Sequence, residues 1–210
     1  MKTGQNSAEC KLSYWSPLDL HERTRCTFIR RRNKKPRMRL KLQLATPDHA
    51  AAIAALRLAV AEDLTARHGK GPWTSAGTDK GVLFAMRNAA VYVATRRNQV
   101  IATLTLCTKK PWAIDRKYFS PSKRPLYLVS MAVHPDWQRK GIGRQCVEEA
   151  KRLAKQWPGD AICLDAYDAS AGAGEFYRKC GFNEVGRATY RNALLIYFEM
   201  LLDDPGEKSQ

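Results

Sequence analysis

A short loop, Gln138–Arg144, carries residue types that favour binding of an anion. Its sequence is Gln-Arg-Lys-Gly-Ile-Gly-Arg, with three cations and two glycines. The loop precedes a predicted helix, and the first amides of a helix lack internal partners and carry partial positive charge. Glycines let a phosphate approach the backbone closely, so the loop is suited to a pyrophosphate. The alternative is an ordinary turn between a strand and a helix, with glycines for tightness.

Two common phosphate-binding motifs do not fit this loop. Lys140 precedes Gly141 and the chain has no Gly-Lys-Ser/Thr triplet, which excludes a Walker loop. The glycines also lack the Gly-x-Gly-x-x-Gly spacing of dinucleotide loops. The loop therefore predicts a phosphate site of another class.

Two secondary-structure elements flank the loop and must position it. Tyr127–Val133 is an apolar run that predicts a buried strand, and His134-Pro135 ends it. After the loop, apolar or small residues follow the 3.6-residue spacing of one helix face. They are Ile142, Cys146, Val147, Ala150, Leu153, Ala154 and Trp157. The predicted order is strand, turn, glycine-containing loop and helix.

A second block of residues strengthens the interpretation. The pattern Gln-x-x-Gly-x-Gly after Val-His-Pro resembles motif A of the GCN5-related N-acetyltransferases, the GNAT superfamily. Asp165 ends a later predicted strand, and residues 173–182 then resemble the family's motif B, Ala-x-x-(Leu/Phe)-Tyr-x-x-x-Gly-Phe. Because both motifs occur in the right order and separation, the chain is identified as a bacterial-type, single-domain member. The resemblance extends roughly from Leu40 to Leu201.

This resemblance implies a fold of the α/β (α+β) class. The GNAT fold has a mixed central sheet of six to seven strands, splayed between strands 4 and 5 and flanked by about four helices. Periodicity predicts individual elements in the same places. Strands are expected around Leu40–Leu44 and over Ala90–Thr95, Val100–Thr108, Tyr127–Val133, Ala161–Ala166, Asn183–Arg187 and Ala193–Leu201. Helices are expected after Thr46-Pro47, over Asp79–Asn88, after Gly141 and from an N-cap at Ser170.

The resemblance also implies acetyl-CoA as cosubstrate, a primary amine as acceptor and no metal. By position in the two motifs, it assigns cofactor contacts to ten residues. They are Met131, Ala132, Val133, Arg139, Lys140, Gly141, Ile142, Gly143, Arg144 and Ser170. Ser170 stands where many members have Asn, and its side chain has a shorter reach. Gly172 and Gly174 either let the cofactor approach closely or leave the helix start irregular.

Acyl transfer to an amine needs a base for the amine and a proton donor for the leaving thiolate. Tyr177 matches the motif B tyrosine, which acts as the acid in many members, and a tyrosine with a pKa near about 10 stays protonated at neutral pH. Its alternative role is that of a core aromatic. Asp165 stands where some members carry the base, acting directly or through water; its alternative role is to accept backbone hydrogen bonds. His134 and Asp168 are further candidates for the base.

Composition separates a basic N-terminal segment from the rest of the chain. The 210 residues carry a net charge of +16, of which residues 1–37 contribute +7. We expect residues 1–37 to form a basic, disordered tail, 38–202 the acetyltransferase domain and 203–210 a polar tail. A nucleic-acid arm and a targeting signal are alternatives for the first segment, and Met38 is an alternative translation start.

Cysteine placement and hydropathy indicate a cytoplasmic protein. The six cysteines form no Cys-x-x-Cys pair, and four lie within apolar patterns, as expected of buried thiols in a reducing compartment. No signal peptide and no run of about 18 apolar residues is visible, so no membrane association is expected.

The predicted function is that of an N-acetyltransferase. The acetyl group would pass from acetyl-CoA directly to a bound amine in a ternary complex. The alternative is a non-catalytic acyl-CoA-binding sensor or interaction module. The expected partners are acetyl-CoA and a small-molecule or protein amine, without nucleic acid, in a monomer or homodimer. Ala193–Leu201 is expected to be an edge strand that could support a dimer. The sequence leaves the acceptor open. The resemblance implies that acceptor specificity lies in three variable segments, Lys70–Gly77, Lys109–Pro125 and Ala188–Asn192. The aromatic residues of Lys109–Pro125 either wall the acceptor pocket or pin the segment to the body of the domain.

Overall fold

A computed structural model of the protein describes residues 39–202, so the predicted basic tail and the predicted polar C-terminal tail lie outside the described residues. The described chain forms seven strands and four α-helices. In chain order these are β1 (Gln43–Leu44), α1 (Ala50–His68), α2 (Asp79–Asn88), β2 (Ala90–Arg96), β3 (Gln99–Cys107), β4 (Pro125–Val133), α3 (Ile142–Gln156), β5 (Ala161–Tyr167), α4 (Gly174–Lys179), β6 (Asn183–Tyr190) and β7 (Ala193–Leu201).

The seven strands form one mixed sheet in the order β1-β2-β3-β4-β5-β7-β6. The β4–β5 pair is parallel, and each of the other neighbouring pairs is antiparallel. This confirms the predicted mixed sheet, its number of strands and its four helices. Because β7 lies between β5 and β6, the expectation that Ala193–Leu201 forms an exposed edge strand is wrong.

Helices α3 and α4 cover one face of the sheet, which we call the first face. Leu104, Leu128 and Leu164 point to this face and pack with Cys146 and Val147 of α3. Burial of this stripe follows the predicted 3.6-residue spacing. Trp157 departs from the prediction: it follows the end of α3 and is exposed.

The opposite, second face is covered in two parts. Helices α1 and α2 pack on β2 and β3, with Ile53 and Val82 fully buried. The segment between β3 and β4 covers β5 and β7, where the Tyr118 and Phe119 rings each lie 5.4 Å from the Tyr197 ring.

Polar contacts also hold this segment against the sheet. The amide and hydroxyl of Ser120 donate to the buried Glu199 carboxylate at 2.9 and 2.7 Å. These contacts favour the prediction that the aromatic residues pin the segment to the body. Trp112 is the exception, since 87% of it is exposed.

Both β-hairpins turn more tightly than the sequence suggested. A two-residue turn connects the strands of each hairpin, Arg97-Asn98 in one and Arg191-Asn192 in the other. All four residues have φ between 47° and 64°. Positive φ at both central residues is typical of type I′ turns, whose twist matches that of paired strands. The predicted four-residue connection is therefore two residues long. Ala188–Tyr190, predicted as loop, belongs to β6.

Three cysteines behave as small buried hydrophobic residues, as predicted. Cys146, Cys163 and Cys180 are buried, and desolvation raises the pKa of Cys146 and of Cys163 to about 12. Among residues 39–202, no helix has the length and apolar composition needed to cross a membrane.

Candidate active site

A β-bulge in β4 changes the direction of its side chains near the C-terminal end. Thr105 of β3 pairs with Val129, but Thr103 pairs with Ala132, so β4 contains one extra residue. Ser130 in this bulge has a φ of 51°. Beyond the bulge, Met131 and Val133 pack against the first-face core, whereas Ala132 packs against the cluster of α1 and α2.

Strands β4 and β5 separate after a short paired region. Their pairing covers Pro125–Tyr127 and Ala161–Cys163, while β4 continues to Val133 and β5 to Tyr167. Within residues 39–202, the remaining lengths of the two strands have no partner on the edges that face each other. An open α/β sheet binds ligands where neighbouring strands diverge, and here the cleft lies at their carboxyl ends.

The loop after β4 presents unpaired backbone amides at the start of α3. Within residues 39–202, none of the six amides from Arg139 to Arg144 donates a hydrogen bond to the backbone or to a side chain. Positive φ at Arg139 (56°) and Gly141 (80°) turns the loop into the helix. A row of free amides at a helix N-terminus fits a phosphate group, so this loop is chemically suited to the pyrophosphate of a CoA ester.

Two basic side chains of this loop are held by backbone carbonyls. Lys140 Nζ donates to the Asp136 oxygen at 2.5 Å, and Arg144 Nη2 donates to the Lys179 oxygen at 2.7 Å. Arg144 therefore ties the start of α3 to the end of α4. Gly143 allows the same approach, because a Cβ there would lie 3.2 Å from the Phe176 ring.

Tyr177 lies in the first-face core beneath the cleft. It is buried, and its ring contacts those of Phe176, Phe182 and Phe198 at centroid distances of 5.2 to 5.9 Å. Burial, followed by the negative charge of Asp165, raises the pKa of Tyr177 well above its usual value. Its hydroxyl therefore stays protonated at neutral pH and can donate a hydrogen bond.

Asp165 lies on the other side of the sheet from Tyr177. Along β5, Ile162, Leu164 and Ala166 face α3 and α4, so by alternation Asp165 shares the second face with Tyr167. Desolvation raises the pKa of Asp165 above the usual carboxyl value. A half-buried carboxyl with a raised pKa is a better proton acceptor at neutral pH than an exposed aspartate.

The two weaker base candidates are engaged in local contacts. His134 Nδ1 accepts a hydrogen bond from the Asp136 amide at 3.3 Å and caps the turn after β4. Asp168 pairs with Arg187 Nη1 at 2.5 Å. Both side chains are therefore engaged in contacts with neighbouring residues.

The motif B helix begins later than predicted. Helix α4 starts at Gly174 with Ala173 as its N-cap, so the predicted N-cap at Ser170 is wrong. Ser170 lies exposed in the preceding turn. A Cβ on Gly172 would lie 1.9 Å from the Tyr167 carbonyl oxygen, so the turn folds back onto β5 and delays the helix. Of the two roles predicted for the glycines, the irregular helix start is the one this packing favours.

Sequence reasoning missed two residues on the second face. Tyr167 Oη donates to the Pro72 oxygen at 3.4 Å, and the Tyr167 ring meets that of Trp73 edge-on at 6.3 Å. The loop between α1 and α2 thereby reaches the end of β5. Arg57 of α1 is the other missed residue. It follows buried Ile53 by four positions, and a cation inside an apolar helical stripe is the signal that was available.

Comparison with known proteins agrees with this geometry. The family described as acetyltransferase (GNAT) domain matches residues 87–184. The glucosamine 6-phosphate N-acetyltransferase of Schizosaccharomyces pombe is 33% identical over 89 residues, which cover 42% of this chain and 72% of that protein. The chain belongs to the GNAT acetyltransferase family. The matched region includes both motifs and the cleft between them.

Solved structures share the GNAT fold at low sequence identity. A GCN5-related N-acetyltransferase of Rhodopseudomonas palustris aligns with a TM-score of 0.60 and 20% identity, covering 79% of this chain and 97% of that one. The yncA protein of Salmonella typhimurium, solved with its cofactor acetyl-CoA, aligns with a TM-score of 0.58 and 17% identity over 82% and 99% of the two chains. GNAT proteins use acetyl-CoA. Residues 39–202 contain no group of three His, Cys, Asp or Glu side chains arranged for a metal ion.

Proposed function

We propose that the protein transfers the acetyl group of acetyl-CoA directly to a primary amine. The observation that carries this proposal is the divergence of β4 and β5 next to a loop whose six amides have no hydrogen-bond partner in the described part of the chain. The loop would hold the pyrophosphate through the amides of residues 139–144. Met131, Ala132 and Val133 would line the pantetheine arm, because this part of β4 pairs with β3 on one edge and has separated from β5 on the other.

Asp165 and Tyr177 would divide the proton transfers between the two faces. Asp165, on the second face, takes a proton from the bound ammonium and so frees the amine nitrogen to attack the thioester carbon. As the new C–N bond forms and the C–S bond breaks, the nitrogen loses a second proton to solvent, and Tyr177 donates its own proton to the departing sulfur from the first face. Solvent then restores the proton to Tyr177 and removes the one on Asp165. Base and acid on opposite faces suit a single direct transfer in a ternary complex.

The acceptor side would be formed by α1, the loop after it and the end of β5. Trp73 and Tyr167 close this part of the second face. The S. pombe relative is named for an amino sugar phosphate. Amino sugars and their phosphates therefore belong in the first acceptor screen beside amino acids, polyamines and peptides with a free N-terminus.

The test combines ligand-dependent unfolding with transfer of acetyl label. Acetyl-CoA at about 100 times its dissociation constant should stabilise the protein by roughly 2.7 kcal/mol. Labelled amide should then form from one class of amine, with release of one thiol per amide. Stabilisation without transfer to any amine would favour the alternative of a non-catalytic acyl-CoA-binding module. Absence of stabilisation at millimolar acetyl-CoA would contradict both.

A further inference from the structure

Arg57 occupies the middle of the buried face of α1. Ile53, Val60 and Leu64 precede or follow it by four, three and seven residues, so all four side chains share one side of the helix. Ile53 is fully buried and Val60 packs against the same cluster. A guanidinium in this position costs the fold free energy unless a partner binds it.

The structure provides no such partner within the described residues. Three buried side-chain nitrogen or oxygen atoms in residues 39–202 lack a hydrogen-bond partner, and two of them are Nε and Nη2 of Arg57. Arg67, on the same helix, instead forms an ion pair with Asp63. Desolvation also lowers the pKa of Arg57, and among the described residues no acidic side chain offsets this effect.

Arg57 lies on the second face of the sheet, near the cleft. Its Nη1 is 4.0 Å from the position that a Cβ on Gly77 would take, so its guanidinium lies under the loop between α1 and α2. The same loop contacts Tyr167, two residues beyond Asp165. Helix α1 also packs on β4, whose Ala132 joins the α1 cluster. Arg57 is therefore on the side where the proposed mechanism needs the acceptor.

We propose that Arg57 is an anion-binding subsite that holds a carboxylate or phosphate group of the amine acceptor. This inference rests on the proposed function, since the acceptor is defined by that reaction. The guanidinium offers planar, parallel N–H donors, which match two oxygens of either anion. The acceptor class is then an amine that also carries an oxyanion, rather than a polyamine or a neutral amino sugar.

Binding of the anion alone tests the site without relying on catalysis. Thermal unfolding is followed in rising inorganic phosphate, and separately in rising acetate, with CoA saturating so that the α3 loop is filled. We expect the wild type to gain an anion-dependent rise in Tm that Arg57→Met abolishes and Arg57→Lys reduces. Arg67→Met is the matched control, since it removes a guanidinium from the same helix and should keep the rise. An equal response in wild type and Arg57→Met overturns the proposal.

Paired acceptors provide the second measurement and separate the two anions. Glucosamine is compared with glucosamine 6-phosphate, and an amino acid with its amide. We expect Arg57→Met to raise KM for the anionic member of the preferred pair about 10- to 100-fold, as for loss of a charge-assisted hydrogen bond. KM for the neutral member should change less than about threefold. Equal effects on both members overturn the subsite.

Failure of the anion subsite and failure of the transferase proposal would give different results. If no amine is acetylated but phosphate or acetate still stabilises wild type and not Arg57→Met, the anion site stands and the transferase proposal falls. If neutral amines are acetylated equally well by wild type and Arg57→Met, and neither protein responds to anions, the transferase stands and the subsite falls. Retained CoA binding by each variant shows that it is folded.

Discussion

The two faces of the sheet beside the cleft offer ligands different kinds of group. On the first face, the groups directed at the cleft are backbone amides of residues 139–144, and the nearby Tyr177 is buried among aromatic rings. The second face instead carries two ionisable side chains, Asp165 and Arg57, each partly desolvated. In the proposed mechanism, backbone amides therefore hold the cofactor, whereas individual side chains bind the acceptor and remove its proton.

The largest expected effect comes from replacing Tyr177, the first-face side chain with a proposed catalytic role. Tyr177→Phe removes the proposed acid, so kcat should fall about 10²- to 10⁴-fold. The Kd of acetyl-CoA should stay within about threefold, because the proposed contacts of the cofactor are made by the backbone. Stopped-flow thiol release and calorimetry measure the two quantities. Tyr190→Phe, on β6, is the control and should leave kcat and the Kd of acetyl-CoA near the wild-type values. A normal kcat for Tyr177→Phe would remove Tyr177 from the mechanism.

A glycine substitution tests how far the cleft depends on backbone approach. Gly172→Ala would place a Cβ 1.9 Å from the Tyr167 oxygen, so the turn before α4 must move. We expect the free energy of unfolding to fall by about 2–3 kcal/mol, in the range of overpacking. Chemical denaturation measures the loss. Gly77→Ala is the control, since its nearest neighbouring atom is 4.0 Å away; equal stability of the two variants would show that the turn is not tightly packed.

The basic side chains of the loop should matter less than its amides. Arg139→Glu should weaken acetyl-CoA binding about tenfold, equivalent to about 1.4 kcal/mol. Arg139→Ala should weaken it by less, because the free amides remain. Calorimetry at two salt concentrations checks the difference, which added salt should diminish. If Arg139→Ala abolished binding, the proposed dominance of the backbone on the first face would be wrong.

The smallest effect concerns the pH dependence of Asp165. Burial raises its pKa in the folded state, so the folded protein retains a proton that the unfolded chain releases as pH rises between the two pKa values. Stability is therefore lost through that window, the reverse of a salt-bridged aspartate. Asp165→Asn should raise Tm at neutral pH and lose this advantage at a pH below the unfolded value.

Activity should respond to Asp165 in the opposite way. Because the carboxylate is the proposed base, kcat/KM should rise as pH passes through its raised pKa, and Asp165→Asn should remove this dependence. Asp160→Asn offers a control carboxylate, which accepts amide hydrogen bonds from Lys123 and Arg124 at the other end of β5. Identical pH–rate profiles for wild type and Asp165→Asn would exclude Asp165 as the base.

The sequence determined the elements whose signals are local. The spacing of apolar residues in α3, the glycines around Gly141 and the motif order predicted the sheet, the helices and the loop of free amides. These features follow from backbone conformation and helix periodicity, which neighbouring residues specify. Hairpin turns and the start of α4 were misplaced, because Arg97-Asn98 lacks glycine and the delay at Gly174 depends on contact with β5.

Only the tertiary structure decided which side chains share a face and which remain without partners. Asp165 and Tyr177 are twelve residues apart, yet they lie on opposite faces because the sheet alternates and α4 packs on one side. The guanidinium of Arg57, which has no partner among residues 39–202, owes this state to the packing of α1 and to the loop that covers it. Burial, desolvation and the lack of a hydrogen-bond partner all depend on contacts between segments that are distant in the sequence. They are therefore decided only when the chain folds and those segments meet.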